Sequence, residues 1–228
     1  GQGEPCICQT ELEGCGEAGE RRREGRLGEH TGFYALWDDY PGVRVTAIAS
    51  CKDPVDPAIM LGRPPQEDAW LGKATERIFL PLIRTALPEV VDISLPAEGI
   101  FHNFAIVSIR KRYPGHARKV MHALWGLGQM MFTKYIIVLD EHANVHDLQE
   151  VLWRLGTATD PKRDLEFASG PTDVLDHAAA LPDISGKLGF DATRKWRDEG
   201  YDRDWPGEIE MSEEVKRKVD AYWASLGI

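Results

Sequence analysis

Residues 24–34 read EGRLGEHTGFY, placing Glu24 and Glu29 five residues apart in a stretch too irregular for a helix or a strand. Gly25, Gly28 and Gly32 suit a turn, because glycine takes backbone angles closed to other residues. Two carboxylates sharing one pocket could divide labour. Repulsion and desolvation would keep one protonated as a donor while the other stays ionised. Such a donor serves where a carbanion-like carbon must be protonated, as after loss of CO2. The same two residues could equally be solvated charges beside a flexible turn, and spacing alone leaves both readings open.

Other groups invite chemistry less specifically. Cys6, Cys8 and Cys15 lie near the start of the sequence and Cys51 stands apart. The spacing C-x-C-x6-C is not a usual zinc pattern and no nearby histidine completes a set of four, so reduced thiols are the simpler reading. His142 and His146 are four apart, a separation that suits zinc on a helix. Asn144, read as an N-cap, would start the helix between them and take them off a common face. YPGHARK (113–119) sets Gly115, His116, Arg118 and Lys119 at an expected helix N-terminus, where an anion could bind or the basic side chains could simply be exposed. No phosphate-binding P-loop, dinucleotide fingerprint or serine elbow is found.

The elements that must position these residues can be read from patterning. ICQTELEG and VRVTAIAS (43–50) have strand character. A proline-rich connector precedes a long helix over 67–86, whose apolar face is predicted at Leu71, Ala74, Ile78 and Leu82, with Pro81 kinking or breaking it. Strands are predicted at 90–96 and 104–112, then a helix over 115–131 with a stripe of Val120, Leu124, Leu127 and Met131. KYIIVLDE (134–141) reads as a strand buried on both faces. A helix from Asn144 is predicted to stop at Gly156, and 164–169 reads as a last strand. GPTDVLDHAA and DATRKWRDEG are predicted as short helices, and a final helix is capped by Ser212. The order is that of a mixed α/β domain with a crossover between parallel strands.

Composition narrows the class. At 228 residues, 43% hydrophobic and 28% charged, the sequence has a globular balance and can bury a real core. A formal net charge of −10 argues against a sequence-independent grip on nucleic acid. No apolar run reaches the roughly 18–20 residues of a membrane span, so no stable membrane insertion is expected. The opening residues lack the pattern of a signal peptide, which leaves the cytoplasm as the expected location.

EGRLGEHTGFY, GRPPQEDAWLGKATERIFLPL, YPGHARKVMHALWG, MFTKYIIVLDE, NVHDLQEVLWRL and GKLGFDATRKW together resemble the UbiD family of decarboxylases, in that family's order and spacing, from about residue 12 to 206. The quinone-biosynthesis branch is the most similar. The resemblance implies a reversible, non-oxidative carboxy-lyase using prenylated FMN with Mn2+, acting on an aromatic or α,β-unsaturated carboxylic acid. In such enzymes the flavin carries the hard chemistry. By position in the family's E-G-P-F-G-[ED]-H-T-G-Y motif, Glu29 takes the proton-donor role and Glu24 is its acidic partner. Lys134 matches a lysine that reaches the cofactor. Arg26-Leu27 stands where the family usually has Pro-Phe.

The resemblance also implies an architecture. Residues 1–62 correspond to the C-terminal remnant of a split β-barrel flavin domain, 63–86 to a connector and linker helix, and 87–228 to a mixed-sheet α/β oligomerisation domain with a helical tail. Family members are roughly twice this length. Their N-terminal half carries most of the flavin site, the metal ligands and an arginine that pairs with the acids. A homo-oligomer is expected, and a non-catalytic assembly domain is the alternative reading.

Overall fold

The computed structural model describes residues 9–55 and 58–226; Cys6 and Cys8 lie outside the described residues. They form two compact units, divided between Thr193 and Arg194.

The first unit begins with two antiparallel ribbons. Strand β1 (Thr10–Cys15) pairs with β4 (Arg44–Ser50), and β2 (Arg21–Glu24) pairs with β3 (Asp38–Pro41). Each is a two-stranded sheet, and Leu12, Val45 and Ile48 are exposed on the first ribbon. Ribbons this narrow are marginal alone, because they offer little surface to bury.

Helix α1 (Asp68–Ala86) forms where its periodicity predicts and runs unbroken through Pro81. The apolar face read from its spacing points outward. Leu71, Ile78 and Leu82 are 58%, 66% and 62% exposed, whereas Asp68, Gly72, Glu76, Leu80 and Ile83 are buried. A buried glutamate turns the helix. The Glu76 carboxylate accepts from Leu95 N at 2.7 Å and lies 2.7 Å from Lys73 Nζ, so rotating it outward would sacrifice a charge-assisted bond. Gly72 faces Phe101 closely enough that a Cβ would stand 2.9 Å from the side chain.

Five strands follow: β5 (Val90–Ser94), β6 (Phe104–Ile109), β7 (Tyr135–Asp140), β8 (Leu165–Pro171) and β9 (Ile184–Asp191). Their order is β5-β6-β7-β9-β8. The central three are parallel and the two outer strands antiparallel. Alternation along β6 and β7 divides the core. Val107, Ile109, Ile136 and Val138 join Leu80 and Ile83 of α1 and Val120 and Leu124 of helix α2 (His116–Trp125). Ile106, Ile137 and Leu139 join Val151 of helix α3 (Leu148–Ala158). The sheet is therefore covered on both faces, as the unbroken apolar run of β7 requires.

Several predicted boundaries change. The helix expected over 115–131 ends at Trp125, and residues 128–132 form a 3-10 turn. Asp147, not Asn144, caps α3, its carboxylate accepting from Gln149 N at 2.9 Å and Glu150 N at 3.3 Å. Gly156 lies within that helix. Strand β9 arises where no strand was predicted, and DATRKWRDEG holds only a 3-10 turn at 197–199. No helix forms in GPTDVLDHAA. In the second unit α4 (Glu213–Ser225) begins after Ser212, whose hydroxyl accepts from Val215 N at 3.4 Å. Among the described residues no helix is long and apolar enough to cross a membrane.

Candidate active site

The carboxylate-bearing loop is an extension of the β2–β3 ribbon. Arg26 N donates to Ala35 O at 3.3 Å and Ala35 N to Leu27 O at 2.9 Å, while Glu29 N donates to Phe33 O at 3.0 Å. Gly28 and Tyr34 form a further bridge, and Gly32 N donating to Glu29 O closes the tip. The glycines differ in their reasons. Gly32 has φ +82°, and Gly25 approaches Trp37 so closely that a Cβ would lie 2.6 Å from its Cα. Gly28 has neither constraint, and Arg26 takes a left-handed φ of 57° instead. Glu24 is exposed at the end of β2 and Glu29 half-buried at the tip. No hydrogen bond joins the two carboxylates among the described residues.

The tip docks on the segment before β6. His30 Nε2 lies 2.7 Å from His102 Nε2, and the His30 ring stacks on Phe101 with centroids 5.1 Å apart. Phe33 contacts the ring of His177 at 4.3 Å. Beside these contacts sits Lys134, directly before β7, its backbone N donating to Asn103 O at 3.0 Å. Its ammonium donates to Asp176 Oδ1 at 2.8 Å, and Thr172 Oγ1 donates to Asp176 Oδ2 at 2.9 Å. Burial pushes the Asp176 carboxyl up, but the hydrogen bonds from Lys134 and Thr172 more than offset it and hold it below the ordinary aspartate value. Lys187, buried on β9, donates to the carbonyls of Thr133 and Pro171, each at 3.0 Å, and to Met131 O at 2.5 Å. Desolvation lowers its pKa, and these three acceptors stand in for water around its ammonium.

The fold thus gathers Glu29 and Lys134 into one region. It adds His30, His102, Asp176, His177 and Lys187, which sequence reasoning passed over. AEGIFHN read only as a separator between strands, and nothing in its pattern announces a histidine that meets residue 30.

The other candidates resolve structurally. His146 accepts from Lys73 Nζ at Nδ1 (2.9 Å) and donates Nε2–H to Asp92 at 3.0 Å, tying α1 to β5. The basic start of α2 already has its anion: buried Glu89 pairs with His116 at 3.1 Å and with Lys119. Cys15 and Cys51 are free and exposed. Among the described residues no group of three or more His, Cys, Asp or Glu could hold a metal ion.

A hairpin carrying an acid, docked against a mixed sheet beside a lysine–aspartate pair, matches two family models in sequence order. Residues 5–64 match the Rift-related domain of 3-octaprenyl-4-hydroxybenzoate carboxy-lyase, and residues 69–192 match its C-terminal domain. The chain belongs to the UbiD family. An uncharacterized protein of Archaeoglobus fulgidus is 54% identical over 223 residues, covering 97% of this chain and 46% of that protein. One from Aquifex aeolicus is 58% identical over 205 residues, covering 90% and 42%. The vanillic acid decarboxylase of Sedimentibacter hydroxybenzoicus in its closed form superposes with a TM-score of 0.86 at 26% identity, over 94% of this chain and 46% of that one. The UbiD-class enzyme HmfF of Pelotomaculum thermopropionicum, in complex with FMN, gives 0.73 at 27%, over 94% and 47%. The chain spans about half the length of the relatives it matches.

Proposed function

We propose that this chain carries the proton-donating part of a UbiD-type decarboxylase site for an aromatic or α,β-unsaturated carboxylic acid, with residues 9–55 contributing to a flavin-binding split barrel. The observation that carries this reading is the placement of Glu29 at the half-buried tip of a hairpin that docks beside Lys134. Prenylated FMN, when bound, supplies the electron sink that loss of CO2 needs. The residues here suit part of its surroundings. Lys134 offers a cation fixed in direction by Asp176, and Asn103 Oδ1 and His102 Nδ1 are buried without partners among the described residues. Unmet polar groups of this kind are satisfied when a ligand arrives. They do not suit Mn2+, for which the described residues provide no ligand set.

Glu29 then delivers a proton to the carbon that has lost CO2, and exposed Glu24, its acidic partner on the ribbon, keeps a carboxyl in contact with water. In the prenylated-FMN-loaded holoenzyme, Glu29→Gln should lower turnover by about 100-fold or more, the usual worth of a positioned general acid. Unchanged turnover would remove Glu29 from the donor role.

A second reading, an assembly module that promotes homo-oligomers, is favoured by the outer face of α1, where Trp70, Leu71, Ile78 and Leu82 are exposed together. Gel filtration of the chain with and without prenylated FMN separates the two. A discrete oligomer that retains no flavin supports assembly alone, and stoichiometric flavin retention supports the site.

A further inference from the structure

The hairpin that carries Glu29 reaches the five-stranded sheet through the contact of His30 with His102, and this contact has an unusual requirement. Two imidazole nitrogens 2.7 Å apart can share a hydrogen bond only if one bears a proton and the other a lone pair. Two imidazolium rings would face each other N–H to N–H, with like charges in contact.

We propose that His102 is a positioning residue for the Glu29 hairpin, holding it through His30 while the pair is not doubly protonated and releasing it in acid. The proposal rests on the assignment of Glu29 to the site, and it concerns where the hairpin sits rather than what Glu29 does there.

The surroundings of His102 favour the uncharged form. Its Nδ1 is buried without a partner, so an added proton there would be an unmet N–H. The same fact selects the tautomer, because a bare lone pair is cheaper to bury than an unanswered donor. His102 Nε2–H therefore donates to His30 Nε2, and a proton taken by His30 at that nitrogen leaves the bond in place only if His102 moves its own proton to the buried, unanswered Nδ1. The charged groups facing His102 are few. His30 opposes its protonation from the hairpin, while Asp173 and Asp176 favour it from the turn after β8; Asp176 is largely answered by Lys134. Burial is the largest influence, and with the His30 charge it holds His102 below the ordinary histidine value of 6.5. The sign follows from that depression. The contact is fully present above pH 6.5 and is lost as pH falls through the lower folded value.

Phe33 provides a reporter that does not touch His102. It lies on the same hairpin and meets His177, 4.3 Å away across the docked interface. The experiment follows the nuclear Overhauser effect between the Phe33 and His177 rings in the 228-residue chain at about pH 7.5 and at the lowest pH at which the sheet amides, the folding control, stay protected. The wild type should show the effect at the higher pH and lose it at the lower, with the sheet unchanged. His102→Leu should lose it at both. His102→Gln should keep it at both, since an amide can donate to His30 or, turned over, accept from it without titrating. An effect that persists in the wild type down to the lowest pH at which the sheet stays folded, or in His102→Leu, overturns the proposal. So does a His102→Gln chain that releases the hairpin in acid as the wild type does. Failure of Glu29 as a proton donor would appear in turnover and leave these effects untouched.

Discussion

Replacing Lys134 by methionine would strand the Asp176 carboxylate, whose side chain is 3% exposed and whose cation stands 2.8 Å away. Removing one partner of a buried ion pair costs about 3–5 kcal/mol, because the remaining charge keeps its desolvation penalty. Asp176 would retain the Thr172 hydroxyl at 2.9 Å and the Ala178 N–H at 3.2 Å, which places the loss near the lower end, about 3 kcal/mol. With a urea slope of about 2 kcal/mol per molar, the unfolding midpoint should fall by about 1.5 M at neutral pH. The pH dependence carries the sharper test. In the wild type Asp176 has a depressed pKa, so its contribution is fully present above the ordinary value of 3.8 and is lost as pH falls through the lower folded value. Without Lys134, burial dominates and the aspartate protonates more readily, so the deficit should narrow between about pH 7.5 and about pH 4.5. Circular dichroism during urea titration at both values measures it. A midpoint shift below about 0.5 M, or one that does not change with pH, would refute the claim that Lys134 answers a buried charge.

Gly32→Ala should destabilise the hairpin by about 1–2 kcal/mol through its positive φ, with a Cβ only 3.0 Å from Arg63 Cα. Gly28→Ala, which meets open space, should be close to neutral, and hydrogen exchange at the Glu29 and Ala35 amides compares them. Asp147→Ala should cost about 1 kcal/mol as the lost cap of α3. Asn144→Ala should cost less, since its side chain bonds only His146 N, and thermal melts of the two variants rank them.

Most of the strands were legible because they carry unbroken apolar runs, as in β7 of the sheet, or dense β-branched content, as in β4 of the first ribbon. Strand β9 was not, and its composition explains why. ISGKLGFD holds two glycines and a lysine, residues that strands disfavour when judged alone. Two of the three are tolerated for a tertiary reason: Gly189 leaves room for the Met121 side chain and Lys187 finds three carbonyls. Helix α1 failed in the opposite way. Its apolar spacing was real but marked the outer face, because the buried face is set by Glu76 and Gly72, whose partners lie on other elements. At the candidate site, Glu29 and Lys134 were proposed from motifs. His102 and Asp176 were not, since what gives each its place is a partner 72 or 42 residues away in sequence.

The acid and its anchors belong to parts of very different rigidity. Glu29 rides on a thin exposed ribbon, while Lys134 and His102 are set by a sheet packed on both faces. Substitutions on the ribbon at positions without a backbone constraint therefore act on little of the core that keeps this chain folded. Leu27, which is exposed, and Gly28, which meets open space, can change with thermal stability nearly constant, whereas Gly25 and Gly32 cannot, and the sheet beneath tolerates little change. A library confined to residues 27 and 28 would vary the approach to Glu29 at small risk to folding.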